Sequence, residues 1–105
     1  MIVIYGIKTC DTCRKAVKAL DGAELRDIRV DPLSPQERAE FIGTFGAALI
    51  NRSSATWRAL SEEDRALPEA ELLERHPTVM KRPVIRSGDA LHLGWSKDVQ
   101  AALLP

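Results

Sequence analysis

The spacing of apolar residues changes several times along the chain, and each change marks an element. Ile2 to Tyr5 is an unbroken apolar run closed by Gly6. A short run rich in β-branched residues predicts a buried strand. After the loop Ile7 to Cys10, the apolar positions Cys13, Val17 and Leu20 lie three or four apart. That spacing puts them on one face of a helix from about Asp11 to Leu20. Asp21-Gly22 ends the helix. Leu25, Ile28 and Val30 stand among charges in "ELRDIRV" and predict a second strand. "DPLSPQE" then breaks the chain and restarts it. Ser34 is a helix cap, Pro35 suits the first position and Glu37 the reciprocal capping position, so a helix runs to Phe41 or Phe45.

From Gly46 to Pro77 the spacing is helical in short pieces, with Thr56, Ser61 and Pro68 as capping residues. "RPVIR" from Arg82 and "ALHLGW" from Ala90 predict two strands joined at the turn Ser87 to Asp89, a hairpin. "SKDVQAALLP" closes the chain as a helix capped by Ser96. The order β-α-β, helices, β-β-α predicts an α/β fold with a mixed four-stranded sheet. The first two strands are parallel through a helix crossover. A single domain spans 1–105, with a helical insertion at about 35–77.

Composition narrows the class. A chain of 105 residues suits one domain, and 45% apolar with 29% charged residues is ordinary for a soluble protein. The formal net charge of +0 argues against broad electrostatic binding to nucleic acid. No apolar run is long enough to span a bilayer, and the N-terminus lacks the basic start of a signal peptide. The expectation is a cytoplasmic protein, monomeric, with no direct nucleic-acid or membrane partner.

The chain has two cysteines, Cys10 and Cys13, in a C-x-x-C spacing. Cys10 stands where a loop meets a helix N-terminus. Free N–H groups and the helix dipole there favour a thiolate. Lys8, Arg14 and Lys15 add positive potential, and Asp11 opposes it. Cys13, one turn on, is placed to resolve a mixed disulfide at Cys10. Thr9 and Thr12 flank the pair as candidate hydrogen-bond donors. Both cysteines also fit a simpler role as small buried hydrophobes. A zinc site would need His76 and His92, whose separation is far wider than finger spacing, so no metal is expected. Trp57 and Trp95 are read as packing residues. A C-x-x-C beside a βαβ pattern points to a thioredoxin-like redox fold.

"YGIKTCDTCRKAVKAL", "LINRSSATWRAL", "HPTVMKRPVI" and "LHLGWSKDVQAAL" together resemble the arsenate reductase (ArsC)/Spx/YffB family over nearly the whole chain. The resemblance implies a thioredoxin-like sheet with a helical insertion. It also implies Cys10 as nucleophile, Arg82 as its anion-binding partner, and Pro83 at the place where such folds carry a cis-proline facing the cysteine. Loop amides from Ile7 to Thr12 would cradle an anion, with Lys8, Thr9 and Thr12 around it. Arsenate reductases of the family use three arginines. Only Arg82 matches well here: Asn51, with Arg52 next to it, holds the middle position, and the third falls near Gly94. The wording of the motifs is closest to the YffB branch, which implies a glutathione-dependent thiol reductase with no bound cofactor. Glutathione, or a glutaredoxin- or thioredoxin-type reductant, would be the partner. Two alternatives stay open: an arsenate reductase proper, and an Spx-like redox-switched regulator that binds RNA polymerase.

Overall fold

The computed structural model describes residues 1–105, in two compact units. The first unit joins Met1–Asp31 to Arg82–Pro105, and the second is Pro32–Lys81.

In the first unit, β1 (Ile2–Gly6), α1 (Asp11–Ala19) and β2 (Glu24–Asp27) form the expected β-α-β, with β1 and β2 parallel from Val3 against Glu24. The strands β3 (Val84–Ser87) and β4 (Ala90–Leu93) add antiparallel pairs, giving one mixed sheet in the order β2-β1-β3-β4. Gly88, at φ 58°, takes the left-handed first position of the two-residue hairpin loop between them. The last helix, α6 (Lys97–Leu103), starts at Ser96, whose hydroxyl accepts the Val99 N–H.

One sheet face carries the core cluster that holds α1. Ile4 of β1 and Ile85 of β3 pack with Ala16 and Leu20 of α1, and Val17, Leu25, Trp95, Val99 and Leu103 close around them. Full burial of an aliphatic side chain of this size contributes about 1.5–3 kcal/mol, so these few residues hold α1 and its cysteines against the sheet.

β2 is shorter than its apolar pattern predicts. It ends at Asp27, and Val30 is 79% exposed. The cause is local. The Asp27 side chain accepts the Arg29 N–H, and its carbonyl accepts the Val30 and Asp31 N–H groups, so the chain turns out of the sheet. β3 likewise begins at Val84, not Arg82, because Pro83 has no N–H to give a ladder. The Arg82–Pro83 peptide is cis, and the Pro83 carbonyl accepts from Gly94.

The second unit is helical. Here α2 (Pro35–Phe45) carries the full capping box between Ser34 and Glu37. It is followed by a 3-10 turn (Gly46–Leu49), α3 (Ala55–Ala59), α4 (Glu62–Arg65), α5 (Glu69–Arg75) and a second 3-10 turn (Pro77–Val79). Phe41, Leu49, Leu72, Leu73 and Val79 are buried. An isolated antiparallel bridge pairs Ile50 with Met80, and Lys81 N–H donates to Leu49 at 2.7 Å, tying the unit's later end to its middle. The cap of α3 is Ser54, which accepts the Trp57 N–H, and not Thr56. Thr56 lies inside that helix and bonds the Thr78 hydroxyl at 2.7 Å instead. Ser61 caps α4, and Pro68 holds the cap position of α5.

No helix is long and apolar enough to cross a membrane.

Candidate active site

Cys10 is the N-cap residue of α1, with extended backbone (φ −85°, ψ 120°). Its side chain is half-buried, whereas Cys13, on the inward face of the first turn, is fully buried. Both thiols are free. The two sulfurs hydrogen-bond one another, and the Arg82 guanidinium reaches Cys10. The sheet brings Arg82 there, because β3 runs antiparallel to β1 and its start lies beside the end of β1.

The two thiols are driven apart in acidity. Partial burial works against ionisation of Cys10. The Cys13 N–H, the Cys13 thiol, the Arg82 side chain and the Thr12 N–H all favour the thiolate, and together they outweigh burial, so its pKa is lowered. Burial pushes Cys13 up to about 12, and the facing Cys10 sulfur adds to the rise against an opposing bond from the Ile7 N–H. The pair therefore has one reachable sulfur with its pKa lowered and, behind it, one buried sulfur with its pKa raised.

The loop that leads into Cys10 is held at nearly every backbone group. Gly6 carbonyl accepts from Ile28 N–H at 2.9 Å. The Ile7 carbonyl accepts from Cys10 N–H at 3.2 Å. Lys8 N–H donates to Asp27 Oδ2 at 3.1 Å, and the Lys8 carbonyl accepts from Arg14 Nε at 2.8 Å. These bonds correct one expectation. The amides from Ile7 to Thr12 do not all form an anion cradle: those of Ile7, Lys8 and Cys10 are committed to protein partners, while those of Thr12 and Cys13 point at the Cys10 sulfur. The Lys8, Thr9 and Thr12 residues are exposed around the mouth of the site. Asp11, expected to oppose the thiolate, lies 3.9 Å from Arg14, which moderates its charge.

The first unit thus brings together Cys10, Cys13, Arg82 and Pro83, with Lys8, Thr9 and Thr12 beside them. Asn51 and Arg52 belong to the second unit. There Asn51 Oδ1 accepts the Ser53 N–H, and Arg52 donates to Ala47 and lies 5.2 Å from the Trp57 ring. Gly94 has φ 83°, a left-handed conformation in which an arginine would be strained. His76 is bonded to Asp64 at 2.9 Å, and no three His, Cys, Asp or Glu side chains converge as a metal site.

Two contributors escape the sequence reading. A Cβ on Gly6 would overlap the Cys13 sulfur, so glycine is what lets the buried cysteine sit against β1. Asp27, buried at the end of β2, holds the loop through Lys8 and is itself held by Arg29. A "DIR" among strand-like residues carries no signal for either bond. A cavity of about 400 Å³ lies behind this loop, lined by Tyr5, Lys8, Arg26, Asp27 and Asp31 among others, and not by the cysteines.

A mixed sheet leading into a cysteine-capped helix, with an Arg–cis-Pro step at the neighbouring strand, defines a thioredoxin-like protein. The chain belongs to the ArsC family, whose model matches residues 5–103. It is similar to the YFFB protein of known structure, with 32% identity and a TM-score of 0.89, 100% of each chain being covered. An uncharacterized protein of Haemophilus influenzae is 37% identical over 112 residues, 97% of this chain and 98% of that one. Global transcriptional regulator Spx 2 of Lactococcus lactis is 28% identical over 115 residues, 100% of this chain and 87% of that one.

Proposed function

We propose that the protein is a thiol-dependent reductase in which Cys10 is the nucleophile. The observation that carries this reading is the convergence of donors on Cys10. Two amides, a thiol and a guanidinium favour the thiolate at the one sulfur a substrate can reach. The Cys10 thiolate attacks one sulfur of an oxidised substrate RS–SR′. A Cys10–SR bond forms, the S–S bond breaks and R′S⁻ leaves, to be protonated by solvent. Cys13 or glutathione then attacks Cys10–SR. A Cys10–Cys13 or Cys10–glutathione disulfide forms, the Cys10–SR bond breaks and RSH is released, so the two electrons come from the two thiols. Burial is the main cause of the raised Cys13 pKa; once Cys10 is bonded its negative charge no longer adds to that rise, which helps Cys13 act as the second nucleophile. Glutathione, or a glutaredoxin- or thioredoxin-type reductant, restores the dithiol.

Arsenate is the less supported substrate. Asn51 replaces one oxyanion arginine of the resemblance, and the positive φ at Gly94 disfavours another.

The test is glutathione-coupled reduction of a small mixed disulfide and of arsenate, side by side, with Cys10→Ser and Cys13→Ser as controls. Disulfide turnover that vanishes in Cys10→Ser is the expected result. No turnover of either substrate overturns the reading.

The full-length similarity to an Spx protein, together with the cysteine pair, favours a second reading: a redox-switched regulator that binds RNA polymerase. Capture of polymerase subunits by one redox state and not the other would establish it.

A further inference from the structure

We infer that Asp27 is a positioning residue for Cys10: its carboxylate, clamped by Arg29, holds the Lys8 amide and so fixes the loop that delivers Cys10 to its donors. The inference rests on Cys10 as the reactive sulfur.

The geometry is specific. Asp27 is 7% exposed, and its two oxygens accept four bonds. Oδ2 takes the Lys8 N–H and Arg29 Nη2, both at 3.1 Å. Oδ1 takes the Arg29 N–H at 2.9 Å and Arg29 Nε at 3.3 Å. Lys8 is 19 residues from Asp27 in sequence, so this bond staples the end of β2 to the loop before Cys10. Only Thr9 separates Lys8 from Cys10, whose own amide turns back onto the Ile7 carbonyl. The Ile7 N–H meanwhile donates to Cys13. Loosening Lys8 therefore disturbs both sulfurs together. The charged groups around Cys10 are Arg82 from the start of β3, Lys8 from the loop, and Asp11 and Arg14 from α1.

Asp27 carries a negative charge at the loop that leads into Cys10. If it acted on Cys10 only through its charge, removing that charge would favour the thiolate and speed alkylation. A clamp has the opposite sign: removing it would misplace the donors and disfavour the thiolate. Asparagine separates the two. It has one acceptor oxygen where the carboxylate has two, so it cannot serve both the Lys8 and Arg29 amides with the same geometry.

The experiment measures iodoacetamide alkylation of Cys10 against pH by peptide mass spectrometry, in the wild type, Asp27→Asn and Arg29→Met, with folding checked by circular dichroism. No substrate turnover is involved. The wild-type midpoint therefore tests Cys10 as the nucleophile, and the difference between variants tests the clamp. Asp27→Asn is expected to raise the alkylation midpoint, and to slow alkylation well below that midpoint about tenfold for each unit of rise. Arg29→Met, which keeps the carboxylate and removes its clamp, should shift the midpoint the same way by less. An unchanged or lowered midpoint in folded Asp27→Asn overturns the inference. If that variant does not fold, an unchanged midpoint in Arg29→Met does so.

Discussion

Gly6, the last residue of β1, lies directly against the sulfur of Cys13. No side chain fits between strand and helix at this point, so the cysteine pair sits as deep as the backbone allows. Gly6→Ala is expected to push α1 outward and cost about 1–3 kcal/mol, as overpacking of a close-fitted core does. Urea unfolding followed by circular dichroism measures the loss. Stability equal to wild type would mean that Cys13 moves aside freely.

The two cysteines should differ sharply towards iodoacetamide. Cys10 is expected to label with a midpoint below the ordinary thiol range, and Cys13 to resist until the solution approaches its midpoint of about 12 or the protein unfolds. Mass mapping after timed alkylation reads both. Equal labelling in the folded protein would contradict the assignment.

Arg82→Ala removes a donor to the Cys10 sulfur, so the Cys10 midpoint should rise. Arg82→Lys keeps the charge without the planar fork and should recover only part of the shift. The thiolate absorbance against pH gives the comparison. A full recovery with lysine would make the contribution purely one of charge.

Asp27 should make stability fall in acid. Donation from the Arg29 side chain is the largest influence on its carboxyl, and with Lys8 it outweighs burial and holds the pKa well below the usual carboxylate range. A depressed pKa means the unfolded chain binds the proton more readily. The contribution is then present above the unfolded value of about 4 and is lost as pH falls below it toward the folded value. Urea midpoints should drop between about pH 4 and 2 more steeply in the wild type than in Asp27→Asn. Parallel curves for the two proteins would exclude this role.

In the second unit, Ser34→Ala removes the acceptor for the Glu37 N–H and should cost about 1 kcal/mol. Thermal melting of the whole chain gives the shift. No change would mean that the capping box holds nothing the rest of α2 does not.

Much of the architecture was legible because its causes are local. The Ser34–Glu37 box, the Ser61 and Ser96 caps and the Gly88 hairpin each work across two or three residues, within reach of a pattern. The helical face that buries Cys13 follows from period alone. Where a side chain altered its own neighbourhood, the pattern misled: Asp27 ended β2 early, and Ser54 took the cap expected of Thr56.

The sequence by itself determined the strand and helix order, the Cys10 position at a helix start and the short spacing to Cys13. Arg82 became a candidate through family resemblance, not through any pattern around it. Only the tertiary structure decided what surrounds the sulfur. Antiparallel pairing of β3 with β1 brings Arg82 to Cys10, parallel pairing of β2 with β1 brings Asp27 to Lys8, and Gly6 makes room for Cys13. A local pattern records which face of an element is apolar. Which polar group of a distant strand meets a given atom depends on sheet order and register, and those are settled only when the whole unit packs.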